Sequence, residues 1–120
     1  MGLKSVAEER LQRTFADVGT KHAGEFYVPA SAIDGYIDAC VHESLAIAGI
    51  EVFRLGKGGT LKADLSQLAD FSTMFTGDEG WDITVRATAA EAHRFVGQAP
   101  SEQDVRFNFT LLSEGEFRSR

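Results

Sequence analysis

The sequence predicts an α+β fold, about three helices packed on a small, mainly antiparallel sheet, and three observations carry that reading. A glycine-rich turn, "GKGG", joins two β-prone runs, "IEVFRL" and "TLKADL". The run "DVRFNFTLL" alternates Val105, Phe107, Phe109 and Leu111 against Arg106, Asn108 and Thr110, which is the period of a half-buried strand. Ahead of both, apolar residues recur at helical spacing in two segments that begin with capping residues.

The first helix is signalled by Ser5 and Glu8, an S-x-x-E capping pair, followed by Ala7, Leu11, Thr14, Phe15 and Val18 on one stripe. It should run from about Val6 to Val18. After Gly19 and Gly24, "EFYVPAS" leads into a second helix with Ser31 as N-cap and Gly49 as stop. Its stripe is Ile33, Tyr36, Ile37, Cys40, Val41, Ser44 and Ile47 or Ala48. The hairpin follows, then a loop from Ser66 to Gly80 that is expected to hold a helical turn around Gln67 to Phe71. After the terminal strand, "SEGEFRSR" reads as a solvated, flexible tail over 113–120. With no internal repeat and no linker, residues 1–120 read as one domain.

The stretch "GWDITVRATAAEAHRFVG", residues 80–97, admits two readings. With period two, Trp81, Ile83, Val85 and Ala87 form one side of a strand, and Thr88 and Glu91 cap a short helix after it. At helical spacing, Trp81, Val85, Thr88, Ala89, Ala92, Phe95 and Val96 form one stripe opposite Asp82, Arg86, Ala90, His93 and Arg94. Ile83 alone is then misplaced. The β-branched run Ile83, Thr84, Val85 weighs against the helix, so periodicity leaves both readings open.

Eighteen acidic residues against 12 basic give a formal charge of −6, which argues against a nucleic-acid surface, since phosphate binding needs a basic patch. A basic protein partner suits that balance. Cys40 is the single cysteine, so no intrachain disulfide is possible and a reducing cytoplasm is implied. The charged start, "MGLKSVAEERLQRTF", does not read as a signal peptide, and no apolar run approaches the roughly 18 residues of a membrane span. The Asn108 to Thr110 triplet matches a glycosylation acceptor but reads as strand sequence.

Several segments resemble chemical motifs in part. "HESLA" begins like H-E-x-x-H, but the second metal ligand would fall on Ala46, so His42 has no partner one turn on. "GKGGT" lacks the spacing of a phosphate loop and suits a hairpin turn. Cys40 lies on an apolar stripe, where a cysteine acts as a small hydrophobe. Asp78, Glu79 and Asp82 lack the alternating ligands of a calcium loop. His22 and His93 have no carboxylate or serine partner identifiable by spacing. No catalytic set, cofactor site or metal site is expected.

The order of elements from Gly35 to Leu112 resembles the immunity protein 40 family, small cytoplasmic proteins that neutralise toxins of bacterial polymorphic and contact-dependent inhibition systems. The resemblance rests on "ESLAIAGIEVFRLGKGGTL", on an acidic loop before Trp81 and Val85, on Thr88, Ala92, Phe95 and Val96 at helical spacing, and on "VRFNFTLL". Arg54 and Leu55 stand where the family carries a double glycine with an aspartate and tyrosine. The resemblance favours the second reading of residues 80–97, one helix from about Trp81 to Val96. It also implies a cytoplasmic protein that binds a cognate toxin domain by occlusion.

Charge distribution supplies the candidate contact residues for such a partner: Asp78, Glu79 and Asp82 around Gly80, with Asp64 and Asp70 on the approach. In isolation, these acids cap a helix and solvate a loop. The alternative function is a small-molecule binding module or non-catalytic subunit, in which Phe53, Phe107, Phe109 and Trp81 would line a pocket. Aromatics at strand spacing usually form core, which ranks that alternative second.

Overall fold

The computed structural model describes residues 5–119; residues 1–4 of the charged start, and Arg120 of the expected tail, lie outside the described residues. Its α+β architecture packs three longer helices on one five-stranded antiparallel sheet. The elements are α1 (Val6–Thr14), β1 (Thr20–His22), β2 (Glu25–Pro29), α2 (Ile33–His42), β3 (Ala46–Leu55), β4 (Leu61–Asp70), α3 (Trp81–Gln98), β5 (Val105–Leu112) and α4 (Glu114–Arg118). The strand order is β1-β2-β5-β3-β4, which places the two most apolar strands in the middle.

Pairing assigns the two faces of the sheet. Val28 lies opposite Phe107, which lies opposite Val52; Phe109 lies opposite Ile50, which lies opposite Ala69. All of these are buried in one cluster with Ile33, Tyr36 and Ile37 of α2 and Ala89, Ala92 and Val96 of α3. The intervening residues Tyr27, Asn108, Glu51 and Leu68 form the opposite face, because side chains alternate along a strand.

Residues 81–98 form one helix, so the helical period wins over the strand period. Trp81, Val85, Thr88, Ala89, Ala92 and Val96 are buried, and Ile83 is 49% exposed, as its misplacement on the stripe requires. The β-branched run is tolerated because Thr84 and Val85 gain burial there.

Other boundaries differ from the sequence reading. α1 starts on its Ser5 cap, whose side chain accepts the Glu8 N–H, but it ends at Thr14 and passes through turns to Val18. α2 stops at His42, well short of Gly49. Ser44 adopts a left-handed conformation (φ 58°), and Leu45 N–H returns to the Cys40 carbonyl at 2.9 Å, a Schellman-type ending without glycine. Ile47 and Ala48 therefore belong to β3, not to the helix stripe. β1 and β2 were not anticipated, and Gln67–Asp70 extends β4, with a 3₁₀ turn only at Ser72–Met74. The expected solvated tail is corrected too: Ser113 and Glu116 form a reciprocal capping box, and Phe117 of α4 stacks on Trp81.

β3 carries an extra residue against β5: Ile47 opposes Leu111, Gly49 opposes Thr110, and Ala48 bulges between them. At this bulge the Ile47 N–H donates to Thr88 Oγ1 at 3.0 Å, and the Thr88 hydroxyl donates to the Val85 carbonyl at 3.1 Å. Thr88 is completely buried, so nothing from solvent replaces either bond. Thr88→Val keeps the shape, removes the acceptor, and should destabilise by about 1–3 kcal/mol in urea melts; a loss near zero would mean that the bulge is held by packing alone. Trp81→Ala should cost about 3–5 kcal/mol as a large truncation of a packed ring. Ile83→Ala should cost about 0.5 kcal/mol or less; equal losses for the two would contradict the observed helix face.

Candidate acidic interface

The end of α2, the start of α3 and the start of α4 meet at Trp81. Its ring stacks on Phe117 (centroids 5.6 Å, 27°) and tilts against Phe75 (6.1 Å), and with Ala46 and Val85 these form a second, smaller apolar cluster. The indole Nε1–H donates to the Ser44 carbonyl at 2.8 Å. This bond ties the left-handed residue that ends α2 to the first residue of α3. The polar end of a buried tryptophan is thus satisfied while its apolar body fills the cluster.

Beside the indole lies an open cavity of about 460 Å³, lined by Glu43, Ser44, Trp81, Asp82, Ser113 and Glu114. Its three carboxylates come from three different helical ends, and each is held by an arginine on a neighbouring turn or helix. Arg10 grips both oxygens of Glu43 at 2.7–3.1 Å, Arg86 reaches Asp82 at 2.7 Å, and Arg118 reaches Glu114 at 3.0 Å. The Arg10 hydrogen bonds hold the Glu43 carboxyl below the usual carboxylate range. Asp82 also sits in the first turn of α3, whose N-cap, Gly80, supplies no side-chain acceptor. Negative charge there complements the partial positive charge of the helix end.

Of the five acidic residues singled out from sequence, Asp82 lines this cavity, and Asp78 and Glu79 precede it in the same exposed loop with no ion-pair partner among the described residues. Asp64 and Asp70 stand apart on β4. Asp64 accepts the Ser66 N–H and hydroxyl (3.2 and 2.6 Å) in a turn where Asp64, Leu65, Ser66 and Gln67 together oppose Val52. Asp70 accepts the Ser72 N–H at 2.9 Å. These bonds lower the pKa of both carboxyls, and each acid serves a local turn. Glu43 and Glu114 were not anticipated as neighbours of Asp82, because nothing in local spacing links three helix ends.

The remaining candidates take structural places. Cys40 is completely buried in the main core, and burial raises its thiol pKa. Gly58 and Gly59 adopt positive φ in the β3–β4 turn. His22 is exposed on the edge strand β1, and among the described residues no group of three or more His, Cys, Asp or Glu is placed to hold a metal. Phe107 and Phe109 belong to the main core and Trp81 to the smaller cluster, while Phe53 packs edge-on against Tyr27 on the opposite face of the sheet, so the four aromatics do not converge on one pocket.

His93 finds the partners that spacing did not reveal. Its Nδ1 meets Asp34 at 2.8 Å and its Nε2 meets Asp38 at 2.9 Å, two carboxylates one turn apart on α2. Comparison with family models, with curated proteins and with solved structures returned no match.

Both ring nitrogens of His93 can donate only in the imidazolium form. Partial burial pulls its pKa down, but the bonds and charges of Asp34 and Asp38 outweigh that and leave it raised above 6.5. Stability from this clamp is then fully present below the unfolded value and is lost as pH rises through the higher folded one. The stability of wild type relative to His93→Gln should therefore be greatest below pH 6.5 and decline as pH rises through the higher folded value. Parallel pH profiles for the two proteins in urea melts would mean that the clamp holds a neutral ring.

Proposed function

We propose that this chain binds and neutralises a cognate bacterial toxin domain by occlusion, in the cytoplasm and without chemistry of its own. The observation that carries the reading is the acidic end of the molecule. Asp78 and Glu79, without ion-pair partners among the described residues, lie in the exposed loop that leads into Trp81 and Asp82, and these two line a cavity together with Glu43 and Glu114. The resemblance of residues 35–112 to immunity proteins supports it, as does the formal charge of −6.

A toxin that degrades nucleic acid must hold phosphates in a basic cleft. An inhibitor blocks that cleft by presenting carboxylates where the phosphates would lie, and complementary fields also accelerate the encounter. Glu43 suits this role best, because Arg10 holds both its oxygens and its position is set before binding, so little side-chain freedom is lost on contact. Asp78 and Glu79 provide the unneutralised charge that steers the approach.

The test is co-expression and co-purification with the C-terminal domain of the protein encoded immediately upstream, the candidate toxin, followed by stopped-flow association. Rescue of growth and a stable complex are expected; neither occurring would overturn the reading. Asp78→Lys combined with Glu79→Lys should slow association sharply at low ionic strength and flatten its salt dependence, with little change in melting temperature. Unchanged kinetics at low salt would remove this loop from the interface.

A further inference from the structure

On the sheet face opposite the helices, the residues along one line are small. Thr110 of β5 lies opposite Gly49 of β3, next to the bulged Ala48, and Ser72 follows β4. Gly49 cannot be larger without adjustment, since a Cβ there would lie 3.0 Å from the Ala69 carbonyl. The floor is therefore low. Leu68, 62% exposed, rises at one end, and Phe75, Leu112 and Phe117 rise at the other.

Two cavities of about 310 and 390 Å³ share Ala48, Ser72 and Thr110, so they adjoin along that line and are treated as one groove. The charged residues lining it are Glu51 and Asp70, both acidic. A contiguous apolar recess with a polar rim is the usual form of a surface that another molecule covers. The charge of the rim selects the occupant. A second copy would set Glu51 and Asp70 against their equivalents in a chain of net charge −6, which opposes self-association.

We propose that this groove receives an apolar anchor side chain, aromatic or leucine-sized, from a basic protein partner, with lysine or arginine neighbours of that anchor meeting Glu51 and Asp70. The proposal rests on the functional reading above for the partner's identity and adds a second contact region to it. Anchors of this kind, seated in a desolvated pocket and ringed by weaker contacts, carry most of the energy of an interface. The acidic end governs approach, and the groove governs residence.

The experiment uses the full ¹⁵N-labelled chain and two probes, the blocked peptides acetyl-KFKLK-amide and acetyl-EFELE-amide, followed by amide chemical shifts. The lysine peptide should produce saturable shifts at Ala48–Glu51, Leu68–Ser72 and Thr110, and the glutamate peptide none. Thr110→Trp fills the groove from an exposed position opposite a glycine, where an aromatic is tolerated. It should weaken the lysine peptide at least about ten-fold, as should Leu68→Ser, which removes one wall without adding bulk. Absence of saturable shifts at millimolar peptide, shifts confined to Asp78–Asp82, or equal effects of the two peptides would overturn the proposal. Growth rescue and complex formation with the upstream toxin report the functional reading separately: a toxin complex indifferent to both groove variants leaves that reading standing and removes the groove.

Discussion

The bond from the Ile47 N–H to Thr88 Oγ1 fixes the relation between the central sheet and the longest helix. β3 lies between β5 and β4, and its bulge at Ala48 breaks the regular pairing at the place where α3 crosses. A bulge inside a packed layer leaves a backbone donor to satisfy, and a buried threonine on α3 satisfies it. The same hydroxyl donates to the Val85 carbonyl, one turn back on its own helix, so neither of its roles depends on water. The register of α3 along β3 follows from that contact. Trp81, two turns earlier on the helix, then meets Ala46 at the start of the strand.

The end of α2 is fixed by a related device. A glycine at Ser44 would suit the left-handed backbone at no steric cost, whereas serine carries a penalty there. The geometry persists because several groups determine it together: the returning Leu45 N–H, the Trp81 indole on the Ser44 carbonyl, and burial of Leu45 and Ala46 on either side of the cluster. A sharp helix ending lets β3 begin at once, and it leaves Glu43 facing the start of α3. The cavity thus arises where the end of α2, the start of α3 and the start of α4 are brought together.

What the sequence made legible was whatever depended on neighbours in the chain. The hairpin at Gly56–Gly59 and the Ser5 cap are local and appear as read, and so does the face alternation of β5, except that Asn108 is buried against the Phe26 carbonyl of β2 instead of facing solvent. The α3 stripe was legible in its spacing, and burial of Trp81, Val85 and Ala92 decided between periods that local propensity left open. "LAIAGI" misled because Ile47 and Ala48 fit a helical stripe as well as a strand, and only pairing with Leu111 and Thr110 separates the two. β2 is short and gains its long-range pairing from β5, far along the chain, while the three-residue β1 pairs only with β2 across the Ala23–Gly24 turn and has no apolar alternation to mark it. α4 had a readable signal in Ser113 and Glu116, a capping box of the same type as the Ser5 signal, but no apolar period followed to support it. Its stabilisation comes from Phe117 against Trp81 and Phe75. Of the acidic residues, the cluster around Gly80 was visible as composition, while Glu43 and Glu114 needed the fold to bring them there.

α4 joins the two surfaces through one short segment. Ser113 and Glu114, at its start, line the acidic cavity, and Phe117, three residues on, walls the apolar groove on the far face of the sheet. Phe117 also stacks on Trp81, so the wall of one recess and the floor of the other share a single aromatic contact. The two recesses thus share α4 as a common element. In the proposed complex, the charges toward the α3 terminus would supply long-range attraction and the apolar floor around Gly49 would supply desolvation. A partner engaged at only one recess would leave the other exposed to water, and its affinity would lack either the steering or the buried anchor that a tight complex combines.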